Sequence, residues 1–316
     1  MRLGIKPTVD VVFKAVFGDE THTDITASLL NAILERIGRQ RACRLSILNP
    51  LRPGRFRGDK DAVLDVRAED ESGREFQLEV QVQVTAGLPR RMLHNWSSCY
   101  LARLRKGEGY EMLRPVISIW ILEGSLLRTG PWFREYSLRE KGTGAVLCDD
   151  ETIIVIELSR WAAEVSPGSR DRLEGALDRW LYFLWKGEEI DPEAVPPGLA
   201  EGGVGEALEI MAAFTKSEAA RDLYRRRVQF RMEQDSLMKE LREAREGREA
   251  SWAEGRAEGK AEGKAEGKAE GKAEGKAEGK AEALRAVAAS MRREGLDLEL
   301  IARATGLTRE EIEAIE

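Results

Sequence analysis

The chain has 316 residues, a net charge of −6, three scattered cysteines (Cys43, Cys99, Cys148) and two histidines (His22, His94). That excludes a disulfide framework, a cysteine zinc site and a His-rich metal cluster, and fits a reducing compartment. The opening MRLGIKPTVDVVFKAVF has no apolar run of signal-peptide length, and nothing approaches ~18 consecutive apolar residues, so a soluble cytoplasmic protein with no membrane partner is expected.

In chain order, Asp10–Phe17 and Thr23–Ile37 have helical apolar spacing, and Arg44–Leu48 reads as a strand. Ala62–Ala68 and Glu75–Val84 alternate with period two, and the EDESG link between them predicts a hairpin. Pro89–Lys106 reads as a helix whose stripe is Leu93, Trp96, Tyr100 and Leu104. Val116–Leu122 is a near-continuous apolar run typical of a buried strand, and Thr152–Leu158 adds another. Glu218–Glu249 reads as an exposed helix. From Ala253 to Glu282 run seven Ala-Glu-Gly-Lys/Arg tetrads and a final Ala-Glu. A glycine in every tetrad costs ~1 kcal/mol against Ala, and every charged i,i+4 pair is like with like, so this stretch reads as a frayed helix or a flexible spacer. Ala283–Arg293 is helical again. Gly306 is placed to end the next helix, and Thr308 with Glu311 to form a capping box for a last one. The expected organisation is a core over 1–165, a helical extension over 166–252, the repeat over 253–282 and a small helical module over 283–316.

Charge is segregated. Arg36–Lys60 holds eight basic residues against Asp59 alone, and Leu88–Arg114 six against two, as a phosphate-binding face requires. The plainer reading is a set of solvated loop arginines.

In FQLEVQVQV, Phe76, Leu78, Val80, Val82 and Val84 point one way, and Gln77, Glu79, Gln81 and Gln83 the other. A hairpin centred on Ser72 sets Asp65 directly across from Glu79, with Gln81 further along the same face. Opposed like charges destabilise a strand pair unless a cation lies between them. A hard divalent ion such as Mg²⁺ fits, because it takes few carboxylates and accepts phosphate oxygens. On spacing alone, a solvated outer face is the plainer reading.

PTVDVVFKAVFGDE, SLLNAIL, LNP, DKDAVLDVRAEDESGREFQLEVQVQ and RRMLHNWSSCYLARLRKGEGYEMLRPVISIWIL, in this order, resemble the PD-(D/E)XK nuclease family transposases, also called Rpn recombination-promoting nucleases. The resemblance covers residues 7 to 160, and the charged glycine repeat with its short helical tail also looks typical of that family. It implies an α/β fold: a restriction-endonuclease-like core with a mixed central sheet flanked by helices, plus a C-terminal helical tail. It also implies metal-dependent DNA cleavage. The family's metal-binding acids map to Asp65 and Glu79, with the backbone carbonyl of Val80 as a further ligand. The final motif position, Lys in the wider superfamily, maps to Gln81. An amide takes up no proton near neutral pH, so Gln81 is suited to orienting water or a phosphate oxygen, and the proton acceptor stays open. Asp10 matches an acidic position of the family's first helix; the plainer reading is a carboxylate favoured by the helix dipole. Arg90, Arg91 and Lys60 are candidate DNA-phosphate contacts. No acidic triad of DDE type stands out, so "transposase" is here only a name. The leading expectation is a Mg²⁺-dependent DNA endonuclease. Its rivals are a catalytically inactive DNA-binding protein that keeps the fold, and a regulator that forms homo-oligomers through the tail.

Overall fold

The computed structural model describes residues 2–48, 51–52, 62–63, 65–164, 173, 175–196 and 198–315. The chain divides into two units, Met1–Met232 and Glu233–Glu316.

The first unit opens with α1 (Asp10–Phe17) and α2 (Thr23–Arg36), followed by β1 (Ser46–Leu48) and the short pair β2 (Leu51–Arg52) and β3 (Ala62–Val63). Next come β4 (Val66–Glu69), β5 (Glu75–Gln81), α3 (Leu88–Leu101), β6 (Val116–Leu122), β7 (Phe133–Tyr136) and β8 (Glu151–Glu157). Helices α4 (Leu158–Glu164), α5 (Ala176–Lys186) and α6 (Val204–Lys216) complete it, with the first turns of α7 (Glu218–Arg293). Six strands form one mixed sheet in the order β1-β4-β5-β6-β8-β7. The central β5–β6 and β6–β8 pairs are parallel and the outer pairs antiparallel. Parallel strands need covered faces, and all seven residues of β6 are buried.

One sheet face, through Val66, Phe76, Leu78, Ile119 and Ile154, joins the main apolar core with residues of α1, α2, α5 and α6. Phe17 sits 4.7 Å from Phe13 and 5.4 Å from Trp180, ring centre to ring centre, so aromatic contacts tie α1 to α5. The other face packs Trp120, Leu122, Ile153 and Val155 against Leu88 and Met92 of α3.

Several sequence expectations shift. Helix α1 and strand β6 keep their expected bounds. Ala62–Ala68 is not one strand: β3 and β4 flank a bend at Asp65. On α3 the buried residues are Leu88, Met92, Asn95 and Cys99, whereas Leu93 is exposed. A polar asparagine and a small cysteine on the inward side moved the apparent stripe. Strand β7, FREY, carried no signal because it is a four-residue edge whose tip is exposed.

In the second unit α7 runs through the whole repeat as helix, with open space where each repeat glycine would carry a Cβ. Ala288, Ile301 and Ile312 form a small core between the end of α7, α8 (Leu298–Thr305) and α9 (Arg309–Glu313). Gly306 ends α8 in the left-handed region at φ 73°, and Thr308 with Glu311 forms the expected capping box. Among the described residues no helix is long and apolar enough to cross a membrane.

Replacing the fully buried Trp180 by Ala removes the ring that joins α5 to α1 and should cost ~3–5 kcal/mol, read as a lower urea midpoint of the first unit's transition.

Candidate active site

The site grows out of the β4–β5 ladder. Val66 pairs with Leu78, Arg67 with Gln77, Ala68 with Phe76 and Glu69 with Glu75. This is the register expected from a turn at Ser72, and its next step places Asp65 across from Glu79. Far from being solvated, the polar face of β5 is buried: Glu75, Gln77 and Glu79 are at most 1% exposed. Deep in the strip, Arg67 and Arg103 both pair with Glu75, and Arg103 also reaches Glu69.

At its open end the two acids are held reciprocally. The Asp65 N–H donates to Glu79 Oε1 at 3.3 Å, and the Val80 N–H donates to Asp65 Oδ2 at 3.0 Å. A residue in an extended strand turns its N–H and C=O to the same edge, so the Val80 carbonyl faces the Asp65 side, past the last ladder pair. Each acid's second oxygen meets a cation. Lys14 Nζ, from α1, lies 3.5 Å from Asp65 Oδ1, and an Arg91 Nη, from α3, lies 3.4 Å from Glu79 Oε2. Arg91 also donates to Gln81 Oε1 at 3.0 Å and stacks 5.5 Å from the centre of the Trp120 ring. With its oxygen so engaged, Gln81 presents its amide N–H groups as donors.

Burial pushes both carboxyls up. Glu79 rises to about 8, through desolvation and then the charge of Asp65, against the pull of Arg91. Asp65 rises through desolvation, opposed by the Val80 N–H and Lys14 and reinforced by Asp10. Two adjacent acids that resist ionisation together are what a divalent cation would relieve. Among the described residues no cluster of three or more His, Cys, Asp or Glu side chains could hold a metal. The available donors are therefore two carboxylates and a backbone oxygen. They suit a hard ion that keeps several waters and takes up substrate oxygens.

The structure thus brings Asp65, Glu79, Val80, Gln81 and Arg91 together. Asp10 is engaged elsewhere: Arg227, from the start of α7, binds its Oδ2 through Nε at 2.8 Å and through an Nη at 2.6 Å. Arg90 is exposed on α3, as is His94. Lys60 lies outside the described residues. Tyr100 stacks on Trp96 and donates to Asp150 at 2.7 Å, a packing role away from the acids. Sequence reasoning missed Lys14 and Arg227. Lys14 had a signal, because it is one helical turn beyond Asp10 and shares its face. Arg227 had none, being 217 residues from its partner.

The family model described as PD-(D/E)XK nuclease family transposase matches residues 7–240. The chain belongs to that family, whose nucleases generally use divalent metal ions. No curated protein and no solved structure matches it.

The raised carboxyls have a consequence for stability. In the metal-free protein the folded state holds protons that the unfolded state releases, so this contribution is full below the ordinary carboxylate range and is lost as pH rises toward about 8. In EDTA, melting temperature should fall between pH 6 and pH 9. Glu79→Gln should flatten that fall, and a profile equally steep in the variant would refute the assignment.

Proposed function

We propose that this PD-(D/E)XK family member is a Mg²⁺-dependent DNA endonuclease of the recombination-promoting type that hydrolyses phosphodiester bonds. The observation that carries the reading is the buried, reciprocally clamped Asp65–Glu79 pair at the end of the parallel sheet centre. In this reading Asp65, Glu79 and the Val80 carbonyl hold the cation. When bound, the ion polarises the scissile phosphate and lowers the pKa of an attacking water.

The protein's own groups do the rest. The Asp65 and Glu79 carboxylates supply the negative charge, and the backbone clamps hold one oxygen of each and leave the other for the ion. Gln81, braced by Arg91, donates its amide hydrogens to the water or to a phosphate oxygen and orients the attack. Arg90 and Arg91, with Lys60, hold flanking phosphates and so position the duplex without reading its sequence. Asp10, paired with Arg227, lies near enough on α1 for its charge to push the Asp65 carboxyl up.

The proposal also covers the setting. The protein is cytoplasmic, with a nuclease core over 1–165, a helical extension over 166–252, the repeat over 253–282 and a terminal module over 283–316. The tail gives it a means of forming homo-oligomers, supported by the exposed face and open glycines of the repeat helix.

Purified wild type should nick supercoiled plasmid in Mg²⁺ and fail in EDTA. Asp65→Ala and Glu79→Ala should each lose at least ~100-fold in rate, and Gln81→Ala about tenfold or more. Equal activity in Asp65→Ala would refute the site. Plasmid shifted at low salt but never cut would favour a catalytically inactive DNA-binding protein.

A further inference from the structure

We infer that Lys14 is an exchangeable cation: in the metal-free protein its ammonium holds the metal-facing oxygen of Asp65, and on metal loading it passes to a phosphate oxygen of the nucleic acid. The inference rests on the metal-site reading above and adds to it a coupling between metal and DNA.

The Asp65 and Glu79 carboxylates carry four oxygens, and two of them accept hydrogen bonds from backbone N–H groups. Asp65 Oδ1 and Glu79 Oε2 remain, and each faces one cation, Lys14 or Arg91. A divalent ion would bind these oxygens directly, so each covering cation must either yield its place or share the oxygen.

The two covering groups are held differently. Arg91 is tethered three ways, by Glu79, Gln81 and the Trp120 ring, and keeps the last two when the Glu79 oxygen turns to the ion. Lys14 reaches Asp65 with a compact charge at the end of a flexible four-carbon stem, and its side chain is 34% exposed. Its helix is fixed beneath it, because Val12, Phe13, Val16 and Phe17 are buried in the core. The backbone therefore stays while the ammonium moves. An ammonium beside an arriving divalent ion is repelled, and the anion that would receive it is the phosphate brought to that ion. Metal and nucleic acid then favour the same position of Lys14, and each strengthens binding of the other reciprocally.

The test is calorimetric titration of Mg²⁺ into the full chain without DNA, for wild type, Lys14→Met and Lys14→Arg. Met keeps the apolar stem and removes the charge. Removing the competitor should tighten Mg²⁺ binding by about five- to tenfold in Lys14→Met. Lys14→Arg, able to grip Asp65 with two nitrogens, should bind Mg²⁺ more weakly than wild type. On plasmid, Lys14→Met should cleave about tenfold or more slowly even at saturating Mg²⁺, the loss lying in turnover. Mg²⁺ binding that weakens or stays unchanged in Lys14→Met would overturn the exchange and leave Lys14 as a brace for Asp65. Tighter binding with undiminished cleavage would overturn the transfer to phosphate. If Lys14→Met does not fold, Lys14→Arg decides: binding as tight as wild type overturns the inference. If wild type binds no Mg²⁺ at all, the metal-site reading itself fails, and this inference with it.

Discussion

Two carboxylates from neighbouring strands share a buried spot, and the protein holds them there by the backbone of the opposing strand. The Asp65 N–H serves Glu79, and the Val80 N–H serves Asp65. Each acid thus depends on the register of the ladder that carries the other. A slip of one residue would turn every side chain of β4 to the opposite face, and a slip of two would set Asp65 against Gln77 or Gln81. The geometry of the site is the register of β4 on β5.

The rest of the polar strip keeps that register. Arg67 and Arg103 converge on Glu75, which is fully buried, and from β4 both Arg67 and Glu69 join this cluster in the register that sets Glu69 opposite Glu75. Buried ion pairs of this kind contribute little net stability, because desolvation offsets their attraction, yet breaking one leaves an uncompensated charge. They therefore act more on which alignment forms than on how stable it is. The Gln77 amide shows the same bias, since among the described residues neither its nitrogen nor its oxygen has a hydrogen-bond partner, at a cost of ~1–3 kcal/mol. An apolar face under α3 would be the more stable choice. Stability comes instead from the opposite face, where Phe76, Leu78 and Ile119 meet the aromatic contacts of α1 and α5.

Much of this was legible in the sequence, and what was not has physical reasons. The β5 alternation and the turn residues at Glu71–Gly73 carry the register, so the opposition of Asp65 and Glu79 was readable in the sequence. Whether their face is wet or dry was not, because period two reports alternation and not what covers it. The cover is α3, whose inward side includes Asn95 and Cys99 and so misled a reading based on apolar spacing. The charges that balance the acids come from α1, α3 and α7, and such long-range pairings leave no local pattern. The repeat was ambiguous for another reason: intrinsic propensity is nearly balanced there, with alanine, glutamate and lysine against a glycine in every turn.

Division of labour follows from how each charge is mounted. Glu79 rides on a buried strand and Asp65 sits at the bend that leads into β4, each held by the other's backbone clamp. Arg91 sits on a packed helix with three anchors. Lys14 combines a fixed helix with a flexible stem. In the proposed nuclease, a site that sheds charge to take in a metal, and gains it to hold a polyanion, needs one such group among rigid ones. Were all four charges fixed, the metal-free site would be so well balanced that neither ligand could enter without the cost of breaking an ion pair. Were all four mobile, the acids would relax apart under their mutual repulsion and no divalent position would persist. In that reading, rigid acids with one flexible cation give a site neutral enough to fold without the metal and charged enough to bind it.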